Sequence, residues 1–171
     1  MTKRGSPSQL TTGFADALSA WAAGVALLTL ADGRDDIGAT VSACCPVSAD
    51  PPQILVALMA ESYPAEVLSR AGYFALTLLS ARQRAVAGRF AASGRPGARL
   101  LLDGIPHPRG ELSGALIPDD GLAALECSVA QRVPAGDHLL LIAAVLATPP
   151  VTGDGAPLIR FRGGYPALAQ P

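Results

Sequence analysis

Charge is scarce in this chain. Only 16% of its 171 residues are charged, 50% are hydrophobic, and the formal net charge is −1. With no basic cluster and aromatics at 5%, the electrostatic and stacking footprint of a nucleic-acid binder is missing. So little charge also predicts that part of the surface is covered in an oligomer. Cysteine is nearly absent: the three present, two of them adjacent at Cys44 and Cys45, offer neither an even framework nor C-x-x-C spacing. They point to a reducing cytoplasm. The two histidines, His107 and His138, lack H-x-x-x-H or Cys/His ligand spacing, so no metal site is expected. No G-x-G-x-x-G follows a strand and no phosphate-cradling G-x-x-x-x-G-K-[ST] occurs. A nucleotide would therefore need another device. The G-x-S-x-G elbow of serine hydrolases is missing too. Long apolar runs are also lacking. Phe14 to Ala31 is broken by Asp16 and Gly24, which argues against a membrane span and against reading Lys3 and Arg4 as the start of a secretory leader.

What is present is a mixture of short apolar runs and turn signals, long enough for one domain with a sizeable core. Residues 1–11 read as a flexible polar leader and 12–168 as the domain. Thr12 is placed to cap a helix to about Ala23, with Phe14, Leu18 and Trp21 on one face and Gly24 ending it. Strands are predicted at 25–31, 36–41 and 53–60, the last pinned by Pro51 and Pro52. Ser62 caps a helix over 63–71, a strand follows at 73–79, and Ser80-Ala-Arg-Gln83 is a capping box opening a helix to about Ala92. Residues 93–111 read as a surface loop. Strands at 122–132 and 138–147, joined by Pro134-Ala-Gly-Asp137, and a short strand at 157–161 complete the chain. Without β-α-β alternation, the pattern predicts an antiparallel, mainly β barrel decorated by helices.

Two stretches could carry chemistry. In Gly38-Ala-Thr-Val-Ser-Ala-Cys-Cys-Pro-Val-Ser-Ala-Asp-Pro-Pro-Gln53, Thr40 and Ser42 have the period-two spacing that sends both hydroxyls to one side of a strand. Ala43-Cys-Cys-Pro46 can turn its backbone N–H groups toward an anion or a planar ring with carbonyl edges. On spacing alone, ordinary strand-end hydroxyls satisfied locally are the commoner reading, and Cys44 and Cys45 are more often buried small side chains than nucleophiles. The other stretch, Gly136-Asp137-His138, sets a histidine at a barrel rim or simply in a solvated turn.

The opening stretch resembles the signature of the flavin reductase family with the FMN-binding split barrel. The likeness continues through Phe14-Ala-Asp-Ala-Leu18, Gly24-Val-Ala-Leu-Leu-Thr29, Glu61-Ser-Tyr-Pro64, Phe74-Ala-Leu-Thr-Leu-Leu79 and Arg89-Phe90. It returns in Leu125-Glu-Cys127, Pro134-Ala-Gly-Asp-His138 and Arg162-Gly-Gly-Tyr165. The resemblance implies a Greek-key-like split β-barrel, a homodimer, and FMN (or FAD) bound between subunits. It implies NAD(P)H-dependent flavin reduction, commonly in service of a monooxygenase partner. The rivals are a reductase that keeps its flavin and acts on a quinone or polyketide-like substrate, and a non-catalytic flavin-binding domain. It also assigns flavin contacts to Thr40, Val41, Ser42, Ala43, Cys44, Cys45, Ser48, Ser62 and Thr77, and places His138, with Asp137, near the nicotinamide. Relatives often carry Asn where Thr77 stands and a basic-aromatic pattern where Ser93-Gly-Arg-Pro-Gly97 stands. The cation for the flavin phosphate is left open among Arg82, Arg89, Arg160 and Arg162.

Overall fold

The computed structural model describes residues 7–33 and 35–168. Helix α1 (Pro7–Ser19) leads to β1 (Ala23–Gly24), β2 (Ala26–Asp32), β3 (Asp35–Val41), β4 (Cys44–Ala49) and β5 (Pro52–Met59). Helix α2 (Tyr63–Arg70), β6 (Tyr73–Leu78), α3 (Arg84–Ala91) and α4 (Ala98–Leu101) follow, then β7 (Ala123–Ala135), β8 (His138–Ala147) and β9 (Ile159–Arg160).

Seven strands form one antiparallel sheet in the order β3-β2-β6-β7-β8-β5-β4. The two ends of that order, β3 and β4, are separated in the chain only by Ser42 and Ala43. Three residue steps reach at most about 11 Å, so the sheet must curl until its edges face each other. They face each other without pairing: β3 bonds only to β2, and β4 only to β5. This is a barrel with a split.

The barrel interior is filled by alternate residues, among them Leu28, Leu30, Val56, Leu58, Phe74, Leu76 and Leu141, with Val67 and Leu68 of α2 closing one end. The opposite face of β2 is buried as well, since Val25 and Leu27 pack with Leu79 beneath Val86, Ala87 and Phe90 of α3. A strand covered on both faces reads as an unbroken apolar run, which is why 25–31 was legible as a strand.

Several boundaries differ from the sequence reading. The first helix starts at Pro7 and ends at Ser19, rather than running from Thr12 to Ala23; proline is well suited to the first helical position. Of the leader expected over 1–11, residues 1–6 lie outside the described residues. Gly24 ends no helix and instead pairs with Ile159. Residues 44–49 form an unexpected strand, tolerated at Pro46 because β4 is an edge, with a register shift between Pro46 and Ser48. The Asp50–Pro51 bond that follows is cis. The capping box at Ser80 is present, with a 3₁₀ turn over Ala81–Gln83 before α3. The 93–111 loop contains α4 and is tied to β3 by Arg99 and Arg109, which both bond Asp36. Strand β7 runs on to Ala135, leaving only Gly136 and Asp137 in the turn, where Gly136 supplies φ 63°.

Candidate functional site

The split holds a cavity of about 300 Å³. One wall is the end of β3 and the crossing, Ala39 to Ala43; the other is Ala57 to Met59 of β5 with His138 of β8. Ser62 and Pro64 at the start of α2, Phe90 and Ala91 at the end of α3, and Arg95 complete it. The small side chains leave a narrow slot, and Gly38 lets the Phe90 ring seat beside it, because a Cβ there would run into that ring.

Of the residues marked in the sequence, the structure brings Thr40, Val41, Ser42, Ala43, Ser62 and His138 together around this slot. Their roles are not alike. The Thr40 hydroxyl donates to the carbonyl of Ala87 at 2.7 Å, so its proton ties β3 to α3 and only its lone pairs remain for a ligand. Val41 belongs to the barrel interior. Ser42 and Ala43 are exposed at the crossing, and the Ala43 carbonyl accepts from Ala57 N–H at 2.8 Å. Ser62 caps α2, its oxygen accepting from Ala65 N–H at 3.4 Å, which leaves its own O–H to donate.

The other marked residues stand apart from the slot. Cys44 is half-buried and packs against the barrel core, while Cys45 is exposed. Burial, and then the neighbouring Cys45, push the Cys44 thiol up, so it is no thiolate nucleophile at neutral pH. Cys127, inside the barrel, is pushed up to about 12 by burial. Ser48 lies beyond the register shift, opposite Gln53. Thr77 is fully buried on β6 opposite Leu27 and Ala124, with its hydroxyl unpartnered. Asp137 is exposed and holds the His138 ring, Oδ1 to Nδ1 at 2.7 Å. That hydrogen bond, and then the charge of His138, lower the Asp137 carboxyl. With Asp137 ionised, Nδ1 is the donor, and Nε2 is the atom free to accept or hold a proton.

The cation at the slot is one the sequence reading did not choose. Arg82 pairs with Asp154, Arg89 bonds the Leu101 carbonyl, Arg160 lies over Tyr165, and Arg162 lies over Phe161. Arg95 instead reaches the slot, donating from Nε to Gly38 O at 2.8 Å and from Nη1 to Ala92 O at 3.1 Å. It has no carboxylate partner among the described residues, and burial lowers its pKa. A half-buried cation held only by carbonyls is a ready anion site. Its one sequence signal is a cation flanked by Gly94 and Gly97. The hydroxyls, the free edge of β3 and Arg95 fit a planar ring with carbonyl edges and a phosphate tail. Among the described residues no group of three or more His, Cys, Asp or Glu side chains is placed to hold a metal ion.

The split barrel thus sets a slot of small residues and hydroxyls beside Arg95. The chain matches the flavin reductase like domain over residues 18–169, and it belongs to that family. It is 32% identical over 163 residues to the NADH-dependent FMN reductase AsuE2 of Streptomyces nodosus subsp. asukaensis, covering 94% of this chain and 86% of that protein. It is also 32% identical to the reductase component of 4-hydroxyphenylacetate 3-monooxygenase from Thermus thermophilus, covering 92% and 97%. Among solved structures, the flavin reductase component BorF of a bacterial two-component tryptophan halogenase superposes with a TM-score of 0.84 at 27% identity, covering 94% and 99%.

Proposed function

We propose that this chain is an NADH-dependent flavin reductase that takes FMN in the slot at the barrel split and supplies reduced flavin to a partner monooxygenase. The observation that carries the reading is Arg95, an uncompensated cation at the end of a slot lined by small residues and hydroxyls. The chemistry a bound flavin supplies is acceptance of a hydride from reduced nicotinamide. The chain's own residues position and shield. Arg95 neutralises the phosphate, Ser42 and Ser62 donate to polar edges, and Phe90 and Leu58 exclude water from the slot. His138 stands on the rim, 38% exposed, with its ring fixed by Asp137. There it would orient the nicotinamide, its Nε2 left free by the Asp137 contact to hydrogen-bond.

At about 300 Å³ the slot lies at the small end of the range for ligand sites, roughly 300–1,000 Å³. Two copies of the chain would complete it. Met59 on its rim is 62% exposed, Phe14 of α1 is 60% exposed, and Trp21, just past the end of α1, is 75% exposed. A homodimer burying over about 2,000 Å² would cover such side chains. Light scattering at micromolar concentration should give the dimer mass, and a monomer that still bound flavin tightly would refute the shared site. Three free cysteines among the described residues support a place in the reducing cytoplasm. No helix among the described residues is long and apolar enough to cross a membrane.

The test is NADH oxidation with excess FMN, followed by separation of the reductase from a flavin-dependent oxygenase by a dialysis membrane. Oxygenase turnover across the membrane is expected. Turnover only on mixing would indicate a flavin that is retained, and no NADH oxidation would leave a binding domain.

A further inference from the structure

Among the described residues, Asp36 is the buried carboxylate that holds two cations, its side chain only 4% exposed. Arg109 grips it with both ends of its fork, Nη1 to Oδ1 at 2.7 Å and Nη2 to Oδ2 at 2.8 Å. Arg99 donates from Nη2 to Oδ2 at 3.1 Å. A buried ion network of this kind adds little stability over an apolar contact of the same size. A two-pronged guanidinium–carboxylate pair does fix orientation, so the question is what it holds in place. Arg99 lies in α4, four residues after Arg95, and Gly97 between them sits against β3, where an added Cβ would stand 3.3 Å from the Asp36 carbonyl oxygen. Arg95 itself meets β3 two residues further along, at the Gly38 carbonyl. Its other bond, to Ala92 O, stays within its own loop, and its Nη2 has no partner among the described residues. One strand carbonyl does not anchor a loop, whereas the contacts at Asp36 do.

We infer that Asp36 is the positioning residue for the cation of the slot. By holding Arg99 and Arg109 it fixes the 93–109 loop on β3, and so sets where Arg95 presents its free Nη2 to a phosphate. That the anion is a flavin phosphate rests on the function proposed for the slot. Asp36 touches no ligand and acts through Arg95. The sign of its effect separates positioning from plain charge. Removing a carboxylate and freeing two guanidiniums would, by Coulomb attraction alone, tighten the binding of an anion nearby. Releasing the loop that carries Arg95 weakens it.

Dissociation constants of FMN, riboflavin and inorganic phosphate are measured for the whole chain, for Asp36→Asn, Arg99→Met and Arg95→Met, and for each of the first two combined with Arg95→Met. All are taken well below the melting temperature of each variant. Asp36→Asn should raise the FMN constant about tenfold and that of riboflavin by less than about threefold. Arg99, 67% exposed, is the milder perturbation; Arg99→Met should move FMN the same way by a smaller factor, and it decides the matter if Asp36→Asn does not fold. In the Arg95→Met background either change should add less than about twofold, because the group being positioned is gone. Full additivity with Arg95→Met, tighter FMN binding, or equal weakening of FMN and riboflavin overturns the inference. If the chain takes no flavin, phosphate affinity that falls in Asp36→Asn only while Arg95 is present keeps the positioning role and removes the flavin reading. Phosphate affinity indifferent to Asp36 in such a chain overturns both.

Discussion

Replacing Arg95 by Met isolates what its charge does. The substitution keeps an unbranched apolar stem against Gly38 and Ala92 and removes the guanidinium, which bonds both of their carbonyls. Two consequences can be separated. Losing two hydrogen bonds at a half-exposed site lowers apo stability by at most about 1–3 kcal/mol, because water replaces part of what is lost. A hydrogen bond to a charged group contributes about 1.5–3 kcal/mol, so the FMN dissociation constant should rise about 10- to 150-fold at the conversion of 1.36 kcal/mol per decade. Riboflavin has the same ring and no phosphate, and its affinity should change less than about threefold. The assay is quenching of flavin fluorescence on titration with each ligand, at two salt concentrations. Wild type should lose FMN affinity as salt rises, and Arg95→Met should lose much of that dependence. Equal weakening of FMN and riboflavin would refute the phosphate role and leave Arg95 as a strut between the 93–97 loop and β3.

The remaining predictions concern the other walls and the loop that frames them. Thr40→Val should lower the melting temperature by roughly 1–6 °C, from the loss of about 0.5–1.5 kcal/mol at the Ala87 carbonyl, and change FMN affinity little. Ser42→Ala should do the reverse, and calorimetry with parallel FMN titrations would expose equal behaviour in the two. His138→Ala should slow anaerobic single-turnover bleaching of flavin by NADH about 10- to 100-fold, or about 1.4–2.7 kcal/mol, with Asp137→Asn showing a weaker version; wild-type rates would return His138 to a solvated turn. Burial alone would raise the Asp36 carboxyl, but hydrogen bonds from Arg109 and then Arg99 outweigh it and hold it below 3.8. A folded-state pKa that is depressed gives stability present above the unfolded value and lost as pH falls through the folded one. Melting curves should therefore show the gap between wild type and Asp36→Asn closing as pH drops below about 4, and a constant gap would contradict the pairing.

What the sequence revealed follows the range of the physics involved. The β2 run, the capping box at Ser80 and the β7–β8 hairpin depend on neighbours within a few residues, and all three are present, though β7 runs three residues further than the pattern predicts and shortens the turn to Gly136 and Asp137. Strand β4 was hidden because Pro46 and the paired cysteines read locally as a turn, whereas a proline is admissible in a strand whose other edge is free. The double duty of Thr40 could not be read either, since its partner Ala87 lies 47 residues away. Arg95 bonds Gly38 from 57 residues away, and no periodicity encodes that reach.

The site itself follows from a short link in a long sheet. Because only Ser42 and Ala43 separate β3 from β4, the two edges are drawn together; neither edge pairs with the other, and the Gly38 carbonyl of β3 is taken by Arg95 instead. Such an edge left bare invites pairing with another chain. Here the hydroxyls, the small side chains and Arg95 line the same slot, and on the proposed reading a flat ligand with polar rims would take the place of a paired strand. Lengthening the crossing by a few glycines would relax the closure while leaving every lining residue in place. Flavin affinity should then fall with the geometry of the split, even though no contact residue has changed.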